Sequence, residues 1–191
     1  MDNMKKIVLI AVALIASAAL QAQSKFAHVN FSELVQLMPE ADQARATIAA
    51  SSKEAQETLQ AMQEEINTKY SQYEQKVSTW SPAIRESKEK ELTDLNRRAQ
   101  EFYQNIQQEL QQQQEQLMAP IYKKAQETVT SLAKEAGYIY VFDRNSILYI
   151  DEAQSEDITA AARKALSIPE DRTLESLQAE LQAQAQATAQ N

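Results

Sequence analysis

The sequence predicts an α+β fold, predominantly α, in which a small β-rich oligomerisation body carries one long antiparallel helical hairpin. Three observations carry that prediction. The 191 residues contain a single glycine, Gly137, and only four prolines, Pro39, Pro82, Pro120 and Pro169; these are the residues that supply turns and end helices. Two apolar stripes with helical spacing flank a Ser81-Pro82 step. Directly after Gly137 the composition changes to β-branched and aromatic residues, which favour strands.

The first element is not part of the fold. Lys5 and Lys6 precede an apolar run from Ile7 to Leu20, with Ala19 and Ala22 as candidate cleavage positions. A charged flank, a short apolar core and small residues are the order of a secretory signal, and the run falls short of the roughly twenty residues that a membrane span requires. Residues 1–22 are therefore expected to be a signal peptide and the mature protein to be exported and soluble. Export permits disulfides, yet the chain has no cysteine.

From Glu40 to Ala136 the chain is built mostly from Ala, Glu, Gln, Lys, Leu and Met, which lose little side-chain entropy in a helix. Ile48, Ala55, Leu59, Met62, Ile66, Tyr70, Tyr73, Val77 and Trp80 form one stripe with steps mostly of three and four. Around Ile66, Tyr70 and Tyr73 two steps of four follow each other, which should relax a supercoil locally. Ile84, Leu92, Leu95, Ala99, Phe102, Ile106, Leu110, Leu117 and Ile121 form the second stripe. Each presents one narrow apolar face that needs a partner. Ser81 suits an N-cap and Pro82 a first helical position, so the chain is expected to reverse with its tip near 80–84 and the stripes to bury each other. Pro39 and Pro120 lie at similar distances from that tip and are expected to mark where the arms meet the body. Each arm would extend about 60 Å at ~1.5 Å per residue.

Residues 23–39 and 121–168 are expected to form the body. Phe26-Ala27-His28-Val29-Asn30 reads as a strand, followed by a short helix over about 32–38. Gly137 suits a left-handed helix stop, Tyr138 to Phe142 a buried strand, Asp143-Arg144-Asn145-Ser146 a turn and Ile147 to Ile150 the return strand of a hairpin. Three strands with so many large apolar residues do not hide both faces, so association is expected through Phe26, Val29, Tyr138, Ile139, Tyr140, Val141, Phe142, Ile147 and Tyr149. Residues 155–166 read as a short helix with Glu156 and Asp157 in its first turn and Arg163 and Lys164 in its last, which suits the helix dipole. Residues 169–191, with Leu174, Leu177 and Leu181 and a Gln/Ala ending, read as a low-complexity, mobile tail; a helix docking on a neighbour is the competing reading.

Charge and composition exclude several functions. The formal net charge is −8, and the segment from Asp151 onward is the most acidic, so nucleic acid is not an expected partner. Without cysteine and with one histidine, His28, there is little from which to build a thiol site, a metal site or a histidine triad. A single glycine cannot supply a G-x-x-x-x-G-K nucleotide loop. No catalytic residue, metal or cofactor is expected. Asn30-Phe31-Ser32 fits a glycosylation sequon but reads as a strand end followed by a helix cap; His28 reads as a packed histidine; Glu64 and Glu65, adjacent on a helix, point apart.

His28-Val29-Asn30 with Leu34, Ala136-Gly137, Val141-Phe142-Asp143, Ile147-Leu148-Tyr149 and Asp157-Ile158-Thr159 occur in this order around a glycine-free hairpin. With that order the chain resembles the Skp/OmpH family of periplasmic chaperones over about Phe26 to Leu166. The resemblance implies a periplasmic homotrimer whose bodies share a β core and whose arms enclose unfolded outer-membrane proteins without ATP. Two departures stand out. Well-studied members are basic whereas this chain is acidic, which weighs against capture of anionic lipid or lipopolysaccharide; only Lys76, Arg85, Lys88 and Lys90 near the tip form a basic cluster, with acids interleaved. The tail after Ser167 also exceeds the family core.

Within that reading most stripe residues, Leu59, Ile66, Leu95 and Ile106 among them, belong to the seam. Tyr103 cannot share the seam position of its neighbour Phe102, and Trp80 and Ile84 lie where packing partners run out. These three, with Tyr70 and Tyr73, are the candidate client-binding residues. The rival reading is a structural coiled-coil scaffold or spacer of the envelope, whose arms should be polar outside.

Overall fold

The computed structural model describes residues 25–189. The expected signal peptide, 1–22, lies outside the described residues. The chain separates into two compact units, Pro39–Tyr122 and the remainder on either side of it.

The body opens with strand β1 (Phe26–Val29) and helix α1 (Phe31–Leu37). Asn30 caps α1: its Oδ1 accepts from the Glu33 amide at 3.2 Å, satisfying an otherwise unpaired donor of the first turn, while its Nδ2 donates to Glu33 Oε2 at 3.1 Å. After the hairpin, β2 (Tyr140–Asp143), β3 (Ser155–Asp157), α4 (Thr159–Ala165) and α5 (Leu174–Ala189) complete the unit. The sheet has the order β2-β1-β3 with both pairings parallel, Phe26 opposite Tyr140 and Ser155, His28 opposite Phe142 and Asp157. Alternation along β1 sends Ala27 and Val29 to one face, where both are buried, with Leu34, Val35 and Leu37 of α1 and Ile158, Ala162 and Leu166 around α4 also in the core.

Helix α2 (Pro39–Lys76) and helix α3 (Pro82–Ala136) are joined by a 3-10 turn at Val77–Thr79 and an extended Trp80. Ser81 caps α3, with its Oγ accepting from the Ile84 amide and its carbonyl from the Arg85 amide, and Pro82 takes the first helical position as predicted. The stripes pack as predicted: Ala55, Ile66 and Leu95 are buried, and Leu59, Met62, Tyr73, Leu92, Phe102 and Ile106 are half-buried. Lys69 bonds Glu91, the Tyr73 hydroxyl donates to Glu89 and Gln113 donates to Ser51. All three pairs lie nearly symmetrically about Ser81, which sets an antiparallel register.

Four expectations need correction. There is no hairpin after β2: Arg144–Ser146 forms a 3-10 turn, residues 147–150 are not a strand, and the third strand is Ser155–Asp157, within the span read as helix. The next residue along the chain fixes its place. The Ile158 amide donates to His28 O at 3.0 Å, and Ile158 is buried as α4 begins, so core packing draws a polar tripeptide into the sheet against its own propensity. Tyr138 precedes the strand and closes the helix: Gly137, at φ +74, donates to Lys134 O and Tyr138 to Ala133 O, the paired bonds of a Schellman stop. The returning helix runs through Pro120 to Ala136, where Gly137 stops it. Val29, expected at an oligomer interface, is only 2% exposed within the single chain and is part of the body's own core.

The fourth correction concerns the tail. Residues 174–189 are helical, Leu177 is buried, and α5 packs on α1. Thr173 and Ser176 exchange backbone-to-hydroxyl bonds at 3.0 Å as a cap, and Arg172 grips both oxygens of Glu180 at 2.6 and 2.8 Å. Arg163 ties the segment down, donating to Glu33 Oε1, to Pro169 O and to Arg172 O. Its position in sequence suits the helix dipole and gives no sign of these longer-range partners.

Candidate functional site

Two surfaces carry most of the exposed large apolar side chains among the described residues, one on each unit. On the body, pleat alternation and register place Phe26 and His28 on the same sheet face as Tyr140, Phe142, Ser155 and Asp157. Phe26 stacks on Tyr140 with ring centroids 6.3 Å apart, and Tyr140 on Phe142 at 5.9 Å. Tyr140 and Phe142 remain 59% and 43% exposed despite this, far more than an interior aromatic. Ile139, Leu148 and Tyr149 are exposed as well. Of the residues expected at the interface, Ile147 and Tyr138 are half-buried; the Tyr138 hydroxyl donates to Glu156, and this bond, with some burial, pushes its pKa up to about 12. Val141 is half-buried and lines a 440 Å³ groove with Val29 and Val129.

His28 is buried beside this face as a packed histidine. Its Nδ1 lies 2.9 Å from Ser155 Oγ and its Nε2 3.6 Å from Asp157 Oδ2, and Arg144 reaches the same carboxylate oxygen at 3.5 Å. Burial would raise the pKa of Asp157, but hydrogen bonds from Thr159 and the neighbouring His28 and Arg144 more than offset it and hold the carboxyl below its usual value. No group of acids and histidines suited to a metal ion occurs among the described residues.

On the arm, Tyr70, Ile84 and Tyr103 are 53%, 46% and 56% exposed, so these three candidates reach solvent. Tyr70 lies off the seam, at the irregular step in the first stripe. Trp80 and Tyr73 instead pack on each other edge to face at 5.9 Å, with Tyr73 held by Glu89. Sequence reading did not single out a groove between α2 and α3 at mid-arm, of about 620 Å³, floored by Leu59, Ile66 and Ala99 and rimmed by Gln and Asn side chains and by the candidate Tyr103. Its signal was present in the small Ala99 at a seam position.

A parallel three-stranded body with an exposed aromatic face and a two-helix arm with exposed tyrosines define a body-and-helical-arm fold. Over residues 25–166 the sequence matches the family described as Outer membrane protein (OmpH-like), and the chain belongs to that family. It is 31% identical over 156 residues to Chaperone protein Skp of Yersinia enterocolitica, covering 80% of this chain and 91% of the relative. It is 28% identical over 151 residues to Chaperone protein Skp of Pectobacterium atrosepticum, covering 79% and 90%. A crystal structure described as an OmpH-like outer membrane chaperone of Caulobacter crescentus superposes with a TM-score of 0.68 over 80% of this chain and 92% of that one, at 15% identity, a likeness of fold. The family match stops at Leu166, so α5 lies beyond it. Among the described residues no helix is long and apolar enough to cross a membrane.

Proposed function

We propose that the chain is an ATP-independent periplasmic holdase that binds unfolded outer-membrane proteins between its helical arms and prevents their aggregation. In this reading it is a homotrimer: Tyr140, Phe142, Ile139 and Tyr149 find partners on the equivalent face of other copies, and the arms surround the client. The observation that carries the reading is the pairing of an uncovered aromatic sheet face with arms that expose Tyr70, Ile84 and Tyr103, in a chain of a chaperone family. A spacer would have no need of apolar side chains on the arm surface.

Clients are held by many weak contacts. Each exposed ring or branched side chain contributes roughly 25 cal/mol per Å² of area it covers, and several arms acting on one chain multiply that through effective concentration. Release then needs no fuel, in keeping with a sequence that cannot form a nucleotide loop. The test is aggregation of a urea-diluted outer-membrane barrel with and without the mature protein, repeated with Trp80, Ile84 and Tyr103 changed to serine. Suppression by the unmutated protein, lost in the triple variant at unchanged mass and helicity, is the expected result. No suppression by the unmutated protein overturns the holdase reading; full suppression by the variant overturns the contact residues alone.

A further inference from the structure

The groove at mid-arm has a chemistry that the rest of the arm lacks. None of the side chains lining it is charged, in a chain where charged residues make up 24%. Its floor is apolar: Leu59 and Ile66 come from α2, and Ala99 stands on α3 where its flanking stripe residues are the larger Leu95 and Phe102. A small residue at a seam position forfeits the contacts a longer side chain would make, and here the two helices do not close the space. Gln56, Gln100 and Gln104 on the rim are exposed and engage no hydrogen-bond partner among the described residues, so each offers both an amide donor and a carbonyl acceptor.

We propose that this groove takes an extended, uncharged stretch of unfolded polypeptide whose alternate side chains are apolar. The proposal rests on the holdase reading and specifies which part of a client the arm recognises. An extended strand sends successive side chains to opposite sides, so one set meets the Leu59-Ile66-Ala99 floor while the other stays in water. The glutamine amides on the rim match the peptide group, which also donates once and accepts once, and they do so whatever the client's side chains are. A client carboxylate or ammonium brought into this groove finds no counter-charge in its lining and loses hydration, which selects against charged stretches. From Gln56 to Ile66 the groove follows about 15 Å of helix at ~1.5 Å per residue, the length of four or five extended residues at about 3.3 Å each. Such a site is short and weak by itself, as a carrier without a release step requires.

The experiment uses the mature protein and a fluorescent twelve-residue peptide alternating Leu or Val with Thr or Gln, followed by anisotropy. A twin peptide with Glu at the Thr positions is the comparison. Ala99→Leu fills the floor; binding of the uncharged peptide is expected to weaken about tenfold while the thermal midpoint of the arm stays level or rises. Gln100→Glu with Gln104→Glu, both on exposed positions, is expected to weaken the same peptide about fivefold, and it carries the test if the Leu variant loses helicity. The Glu-bearing twin is expected to bind the unmutated protein at least fivefold more weakly. Equal affinity of the two peptides, or unchanged binding in a folded Ala99→Leu variant, overturns the proposal. If the unmutated protein still suppresses barrel aggregation in that case, the groove assignment alone falls; if it suppresses nothing, the holdase reading falls with it.

Discussion

The body and the arm solve the problem of burial in opposite ways. In the body, Leu34, Leu37 and Leu166 are at most 1% exposed, and a sheet, two short helices and the α5 helix close over a shared interior. The arm has a line of contact in place of an interior. Between Ala44 and Ile121 only Ala55, Ile66 and Leu95 are buried among the apolar residues, and every other residue of that stretch is half-covered or wet. The contrast teaches where stability and adaptability reside. A closed core loses several contacts when one group is removed, whereas a seam one side chain wide can open locally and leave each helix intact through its own backbone bonds.

The sharpest way to break that contrast is to damage the body and watch the arm. Arg163 is 16% exposed and its partner Glu33 22%, and its guanidinium also satisfies the carbonyls of Pro169 and Arg172. Arg163→Ala removes the ion pair and strands the Arg172 carbonyl, while Pro169 O keeps the Arg172 amide, at an expected cost of about 3 kcal/mol. Amide exchange should accelerate at Val29 and Ile158, while Trp80 fluorescence, the chain's single tryptophan signal, should still report a packed tip at low denaturant. Simultaneous loss of both signals would mean that the two units unfold as one.

The same contrast explains what the sequence disclosed. The arm was legible because a seam is a periodic property of each helix: the stripes, the Ser81 cap and the position of the turn all depend on residues a few places apart. Tyr70 departed from the seam where the spacing itself was irregular. The body was less legible because its strand choice is settled at long range. Ile147-Leu148-Tyr149-Ile150 has the better strand composition, yet Ser155-Glu156-Asp157 occupies the sheet edge because Ile158 must enter the core directly after it. The order of the tail was hidden for a related reason: a Gln/Ala-rich segment carries little local signal, and its order comes from Leu177, Arg172 and Arg163 meeting distant partners. At the candidate sites the exposed Tyr103 and Ile84 followed from their positions against the stripe, while the pairing of Trp80 with Tyr73 depends on how the turn folds back.

A smaller effect tests how the body ends its helices. Gly137 and Ser167 occupy the same left-handed position, at φ +74 and +58, and Ser167 repeats the Schellman bonds with its amide on Lys164 O and the Ile168 amide on Arg163 O. Serine in that conformation carries a Cβ penalty that glycine does not. Ser167→Gly is therefore expected to stabilise the body by about 1 kcal/mol, and Gly137→Ser to cost about the same, since a Cβ at Gly137 meets no atom within 4 Å and only the backbone term remains. Urea midpoints of the two variants should move in opposite directions; a shift of the same sign in both would remove backbone conformation as the cause.

The smallest expected effect belongs to the arm and concerns acid. Near the tip the Glu91 carboxylate takes hydrogen bonds from Lys69 and then Lys88, at 2.5 and 2.7 Å, and these hold its pKa down to about 2 from an ordinary 4.5. A carboxyl with a lowered folded-state pKa contributes stability that is complete above its unfolded value and is lost as pH falls towards the folded one. Tip packing should thus weaken between about pH 4.5 and pH 2, and only slightly, because Glu91 is 32% exposed and its pairs are screened by solvent. Trp80 sits in the same pocket as Lys69, Lys88 and Glu91, so its emission is the direct probe. Glu91→Gln should flatten the change in that window and leave the body's exchange rates where they were. An unaltered acid transition in Glu91→Gln would assign tip loosening to other carboxylates and remove the Lys69-Glu91-Lys88 cluster as its cause.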